Sequence, residues 1–130
     1  MSRRHIFNFS YNDLDEKAFA LLVEAKVVTQ GCTWDEHSRL PFVSRDMRPT
    51  EIQEKVVKLV QEVEITDGDV VVVGGVPDVA IYVWQAVVDE ADVIVLSVIG
   101  RKNTDGYRVL GFREVIPHRK LQGREPYYVA

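Results

Sequence analysis

The chain has little cysteine and no long apolar run. Cys32 is the one cysteine among 130 residues, which excludes an intramolecular disulfide and a metal site built from several cysteines. No apolar stretch approaches the roughly 20 residues that a membrane-spanning helix needs, and the basic N-terminal segment holds too few apolar residues for a signal sequence. These absences favour a cytoplasmic protein with no membrane partner.

The sequence also lacks the usual fingerprints of metal and cofactor sites. His5, His37 and His118 lie far apart, without the spacing of zinc ligands. No G-x-G-x-x-G or Walker lysine follows a strand, which argues against NAD or ATP binding. Cys32 could act as a nucleophile with Asp35 and His37, but residues this close within one loop rarely form a catalytic dyad. We therefore expect no metal and no cofactor.

Charge of one sign is unevenly distributed. The net charge is −4, yet residues 1–100 hold 9 Lys and Arg against 17 Asp and Glu, whereas residues 101–130 hold 7 against 3. This pattern does not provide the broad basic face that duplex DNA requires. It allows a local anion site near the last strands, and an unevenly charged, solvated surface is the alternative.

Apolar periodicity divides the chain into alternating strands and helices. Continuous apolar runs predict central strands that are covered on both faces, and a period near 3.6 predicts helices. Strands are predicted in "RHIFNFS", "KVVTQ", "VVVV", "DVIVLSVIG" and "GYRVLGFREVIPH", and helices in "NDLDEKAFALLVEA", "EIQEKVVKLVQEV" and "VAIYVWQAVVDEA". Residues 31–49 show no clear period.

The element order predicts an α/β domain. Capping signals mark two helix starts, Asn12 or Asp13 with Glu16, and Thr50 with Gln53. Alternating strands and helices predict a Rossmann-like, three-layer domain with a mainly parallel sheet. The "NTDG" turn predicts an antiparallel hairpin at its C-terminal edge. A single domain of this kind spans residues 1–130.

Three loops at the carboxyl ends of the predicted strands hold the candidate binding residues. Ligands of open α/β sheets bind at this edge, where loops converge and the amides of helix N-termini point outward. The loops are "NFSYND", "GGVPD" and "SVIGRKN". They offer hydrogen-bonding side chains, aromatic rings, close backbone approach and positive charge through Asn8, Phe9, Ser10, Tyr11, Asn12, Gly74, Gly75, Val76, Pro77, Asp78, Gly100, Arg101 and Lys102.

Each of these features also has a purely structural interpretation. Asn12 and Asp78 can serve as helix caps, and a turn between strand and helix takes glycine for backbone reasons alone. Arg101 and Lys102 lie beside "NTDG" and can simply solvate a hairpin. Their coincidence at one edge of the sheet favours a binding site over catalysis, because neither Ser10 nor Ser97 has an evident general base.

Three segments resemble a known family. The opening "IFNFSYNDLDEKAFALLVEA", the strand "GDVVVVGG" and the closing "GYRVLGFREVI" resemble small single-domain CRISPR-associated proteins of type III loci. These proteins are stand-alone relatives of the CARF (CRISPR-associated Rossmann fold) sensor domains. The resemblance covers most of the chain in layout, and its first and last thirds in residue pattern. Where family members carry His after the Ser of the first loop, this chain has Tyr11.

The resemblance implies a CARF-like homodimer, or a higher homo-oligomer, that binds a cyclic oligoadenylate second messenger, with cyclic tetra-adenylate as the expected ring. Loop amides with Asn8, Ser10, Arg101 and Lys102 would hold phosphates, and Phe9 or Tyr11 would stack a base. Sequestration of the messenger would damp type III CRISPR antiviral defence.

Two alternatives remain open at this stage. A metal-independent ring nuclease would align each ribose 2′-hydroxyl with the adjacent phosphate, but the absence of an evident general base favours sequestration. A non-enzymatic interaction module would dock through the hairpin and the tail "HRKLQGREPYYVA".

Overall fold

The computed structural model describes residues 5–10, 14–35, 46–74, 77–104, 106–116 and 127–129. Within these ranges strands and helices alternate through the first two-thirds of the chain, and strands alone follow. In chain order they are β1 (His5–Asn8), α1 (Glu16–Glu24), β2 (Thr33–Asp35), α2 (Pro49–Glu62), β3 (Val70–Val73), α3 (Pro77–Glu90), β4 (Ile94–Asn103), β5 (Gly106–Glu114) and β6 (Tyr127–Val129).

One sheet joins all these strands in the order β2-β1-β3-β4-β5-β6. β2, β1, β3 and β4 are mutually parallel, and β5 is antiparallel to both β4 and β6. The predicted mixed α/β domain with a mostly parallel sheet and an antiparallel hairpin is therefore confirmed.

The four valines of β3 lie at the centre and explain why its sequence is continuously apolar. All four are at most 4% exposed. Because side chains alternate along a strand, Val71 and Val73 pack with α2 and α3 on one face, whereas Val70 and Val72 pack with α1 on the other. Helices thus cover both faces of the sheet, and burying each valine contributes roughly 1.5–3 kcal/mol.

The helices bury one stripe each, as their periodicity predicts. On α2 this stripe is Ile52, Val56 and Val60, with Leu59 and Val63 packed beside it. No helix in the described ranges is long and apolar enough to cross a membrane.

The helix starts differ from the capping-box prediction. α1 is capped by Asp15, whose Oδ1 accepts a hydrogen bond from the Ala18 amide at 2.8 Å. Asn12 and Asp13 lie outside the described residues. α2 begins at Pro49, which needs no amide partner in the first turn, and its N-cap residue Arg48 makes no side-chain capping bond. Thr50 is therefore already inside the helix.

The second strand lies later in the chain than predicted. The segment "KVVTQ" (26–30) forms turns, because its backbone completes the end of α1: the Val27 amide donates to the Leu22 carbonyl at 3.0 Å. Val27 and Val28 are buried, so their apolar character reflects the core. β2 lies instead in the stretch without a clear period, where Trp34 stacks on Phe19 at 5.5 Å between ring centroids.

The β4–β5 hairpin extends past the carboxyl edge of the sheet. β4 pairs with β3 as far as Ser97 and then continues to Asn103, paired only with β5. These six further residues span roughly 20 Å. The strand predicted in "DVIVLSVIG" therefore continues through "RKN", the part of the segment "SVIGRKN" predicted only as a loop, because β5 supplies the hydrogen bonds that β3 no longer provides.

Candidate ligand site at the carboxyl edge of the sheet

The topology places a switch point between the carboxyl ends of β1 and β3, the position at which open α/β sheets bind ligands in a crevice, and we refer to this position as the crevice. From β1 the chain passes along α1 to β2 on one side, and it then returns along α2 to β3 on the other. Strand order reverses at this point, and loops that leave opposite faces open a ligand crevice there. The segment Asn8 to Ser10 and Gly74 end the two strands that flank it, so two of the three predicted loops meet.

Asn8 and Ser10 form a closed hydrogen-bonded turn at the end of β1. Asn8 Oδ1 accepts from the Ser10 amide at 3.0 Å and from Ser10 Oγ at 2.6 Å, and both residues are fully buried. A side chain that bonds to the backbone two residues on imitates a backbone turn. These bonds help to fix the direction in which the chain leaves β1.

Gly74 packs directly against this turn. A Cβ atom on Gly74 would lie 3.3 Å from Ser10 Cβ and 3.6 Å from Val98 Cβ. The first distance is shorter than ordinary van der Waals contact, so a larger residue would push the end of β3 away from the turn. At Gly74 packing against Ser10 and Val98 accounts for the glycine, and the predicted close approach of this backbone to a ligand stays a prediction. Gly75 and Val76 lie outside the described residues.

Phe9 does not face the crevice. It is completely buried and packs with Phe7, with ring centroids 6.4 Å apart, in the core beneath α2 and α3. The cause is strand alternation: its amide donates to the Val72 carbonyl at 2.8 Å, so the pleat continues and Phe9 shares the face of Phe7. The prediction that Phe9 stacks a base is therefore wrong. Tyr11 and Asn12 lie outside the described residues.

The N-terminus of α3 points toward the same edge. Pro77 opens the helix and is exposed, and Asp78 Oδ1 accepts from the Val79 amide at 2.9 Å. The carboxylate thus accepts a hydrogen bond from an otherwise free amide, and the positive end of the helix dipole stabilises its negative charge. It also places a negative charge at this helix end, so positive charge for an anion must come from elsewhere.

Basic residues of the hairpin lie beyond the same edge of the sheet. Arg101 lies on β4 and is exposed, four residues beyond Ser97, the last partner of β3. Gly100 lies at a register shift between the paired strands, and Lys102 is the next β4 residue, with its backbone paired to Tyr107. Gly100, Arg101 and Lys102 are therefore hairpin residues that stand beside the crevice.

One residue of the hairpin was missed by the sequence reasoning. Arg108 pairs directly with Arg101 across the two strands and is also exposed. The signal was present, because the "NTDG" turn pairs Asn103 with Gly106, and counting outward from this pair brings 101 opposite 108.

The candidate catalytic groups lie elsewhere. His5 is at the amino end of β1, where its Nδ1 is hydrogen-bonded to Thr33 Oγ1 and its backbone amide donates to Asp69 Oδ1 at 3.1 Å. Partial burial raises the pKa of the Cys32 thiol and so lowers its thiolate fraction. His37 and His118 lie outside the described residues. Among the described residues, no group of three or more His, Cys, Asp or Glu could hold a metal ion.

Comparison of the chain with models of protein families, with curated proteins and with solved structures gave no match. The function of the protein is therefore inferred from the residues at this edge of the sheet.

Proposed function

We propose that this protein binds a cyclic oligoadenylate, with cyclic tetra-adenylate as the ring, and lowers the free concentration of that messenger by sequestration. The observation that carries the proposal is the crevice between β1 and β3, flanked by a projecting basic hairpin. The fold is compatible with the Rossmann-like, CARF-like domain that the sequence resemblance implies. In that setting binding would damp type III CRISPR antiviral signalling in the cytoplasm.

The charge distribution supports an anionic ligand. Hairpin residues 98–111 hold three basic residues against one acidic residue, in a chain whose net charge is −4. Phosphodiesters carry one negative charge each, and screening limits the influence of distant carboxylates to about 8–10 Å. Beside the crevice, the positive charge of the hairpin therefore adds to the negative charge of Asp78 at the start of α3.

Because Phe9 is buried in the core, other residues must contact the bases of the ligand. The buried Asn8–Ser10 turn presents the chain toward the crevice, and Tyr11 follows it directly in sequence. We assign base stacking to Tyr11, because an aromatic face accepts any base and contributes about 1–3 kcal/mol per stacked base.

A homodimer fits the symmetry of the ligand. A ring of four adenylates has two-fold symmetry, so two copies of the same crevice would meet it equally. Helix α3 offers an apolar surface for this purpose: Ile81 is 55% exposed and Val88 is 39% exposed, one heptad apart on the helix. Ile81 lies only four residues, about 6 Å, from the helix start. Pairing through this face would bring two crevices together.

Sequestration is favoured over cleavage by the state of the polar groups at the crevice. Cleavage would be helped by a general base that takes the 2′-hydroxyl proton. Asn8 and Ser10 are buried in their own turn, and His5, the histidine that the described ranges contain, lies at the opposite edge of the sheet.

The test is to follow the fate of the bound ring. Excess protein is mixed with radiolabelled cyclic tetra-adenylate without metal, and samples are analysed for one hour by native gel and by denaturing chromatography. We expect a shifted band from which intact ring is recovered. Linear products would replace sequestration with ring-nuclease activity, and an unshifted ring would refute the proposed function.

A further inference from the structure

We propose that Arg101 and Arg108 form a two-arginine clamp, which holds one phosphate group between their guanidinium groups. The clamp deepens the proposed function and rests on it for the identity of the natural ligand. The chemistry that the clamp recognises is a phosphate or phosphodiester anion.

The register of the hairpin brings two arginines together. Arg101 and Arg108 are direct cross-strand partners, so their side chains leave the same face of the hairpin from positions about 4.5–5.5 Å apart. Like charges placed directly opposite destabilise a strand pair. Both residues are exposed, and no ion pair joins either guanidinium to a carboxylate within the described ranges. An anion between them would turn this repulsion into attraction.

A bulge in the hairpin creates this arginine pair. Ile99 pairs with Gly111, whereas Gly100 pairs with Val109, so Leu110 is an extra residue in β5. In a regular ladder continued from Ile99, Arg101 would face Val109 and Lys102 would face Arg108. Bulges change the direction of side chains and are over-represented next to functional sites. Here the bulge sets two arginines directly opposite each other, and the planar guanidinium group is suited to bidentate phosphate binding.

The clamp lies on the face of β4 that also carries the core residue Val95. Val95 of β4 packs into the core beneath α2 and α3, and alternation places Arg101 on that same face of the strand. α3 begins at Pro77, three residues beyond Gly74, and covers this face. The clamp therefore projects beyond the sheet on the side where α3 starts, beside the crevice.

The experiment inverts one charge and reads two properties. In Arg101→Glu a cross-strand pair of opposite charge replaces the repulsive one. We expect amide hydrogen exchange in residues 98–111 to slow about two- to fivefold at low salt. We expect affinity for cyclic tetra-adenylate to fall roughly tenfold or more, with a smaller salt dependence.

The controls separate the clamp from general charge effects. Lys58→Glu makes the same charge change on the distant part of α2 and should leave both properties as in the wild type. The double variant Arg101→Glu/Arg108→Glu restores a like-charged pair, so exchange should accelerate again while binding stays weak.

Inorganic tripolyphosphate serves as the second probe and distinguishes the two proposals. It should slow hairpin exchange in the wild type and not in Arg101→Glu. If tripolyphosphate does so while cyclic tetra-adenylate does not bind, the clamp stands and the proposed messenger is wrong. If cyclic tetra-adenylate binds the wild type and Arg101→Glu equally, or if tripolyphosphate leaves exchange unchanged, the clamp is overturned.

Discussion

At the scale of single residues, the crevice depends on a glycine whose reason is packing. Gly74 does not have the positive φ that favours glycine, yet its Cα lies so close to Ser10 and Val98 that a Cβ has little space. The buried hydrogen bonds between Asn8 and Ser10 hold the opposing wall in place. The shape of the crevice is therefore sensitive to one methyl group.

Gly74→Ala tests this dependence. We expect a loss of about 1–3 kcal/mol in the free energy of unfolding, the usual cost of overpacking, together with at least tenfold weaker binding of cyclic tetra-adenylate. Gly31→Ala is the matched control, because no atom lies within 4 Å of a Cβ there. Urea unfolding and a binding titration measure the two effects. A folded Gly74→Ala protein with wild-type affinity would contradict the site.

Sequence reasoning found the polar residues of the crevice but could not assign their partners. Asn8 and Ser10 were predicted as binding residues for their hydrogen-bonding capacity, and in the structure Asn8 Oδ1 accepts from the amide and the hydroxyl of Ser10. Phe9 was assigned to both the predicted strand "RHIFNFS" and the predicted loop "NFSYND", and the structure shows that it belongs to the core face shared with Phe7. Which face of a strand end is covered depends on the helices that pack there, and the sequence of one segment does not show it.

At the scale of elements, the β4–β5 hairpin contains two different pairing registers. Pairing in the sheet sets Ser97 opposite Arg113, and the turn sets Asn103 opposite Gly106. Six residues separate the first members of these pairs and seven separate the second, so one residue of β5 must bulge. The turn itself requires glycine at 106, where φ is +118°.

Gly106→Ala tests whether the hairpin register matters for binding. The substitution forces an L-residue into a strained conformation that costs about 1–2 kcal/mol. Gly68→Ala carries comparable strain, at φ +87°, in the turn before β3 at the opposite edge of the sheet. We expect both variants to lose stability in thermal unfolding and only Gly106→Ala to bind the ring less tightly. Equal affinities in the two variants would remove the hairpin from the site.

The elements themselves were largely predictable where burial is one-sided or complete. The stripe of α2 and the valines of β3 are set by their packing, and both are visible as patterns. β2 was not predictable, because three residues are too few for a period and Trp34 is placed by its contact with Phe19. The segment "KVVTQ" was predicted as a strand because it is short and β-branched, but its valines are buried by a turn.

At the scale of the whole molecule, the proposed function depends on two-fold symmetry. The proposed binding residues come from one edge of the sheet, and the largest exposed hydrophobic fraction among the described large side chains, at Ile81, lies on the helix that starts at this edge. A dimer through α3 would cover Ile81 and Val88 and align two crevices. One ring would then be held by both copies.

Ile81→Glu tests the dimer face. A charged residue at an interface core would dissociate the dimer, whereas in a monomer an exposed helical Glu is nearly neutral. The control Ala20→Glu adds the same charge at an exposed position of α1, on the other face of the sheet. Sedimentation should give a monomer for Ile81→Glu and a dimer for Ala20→Glu, with ring binding lost only in the first. A dimeric Ile81→Glu protein would exclude this face.

The most direct test of the account is the stoichiometry of binding. Isothermal titration of the wild-type protein with cyclic tetra-adenylate, together with the mass of the complex by light scattering, counts rings and chains at once. The account predicts one ring for every two chains and a complex with the mass of a dimer. One ring per monomer, or no measurable binding, would contradict it.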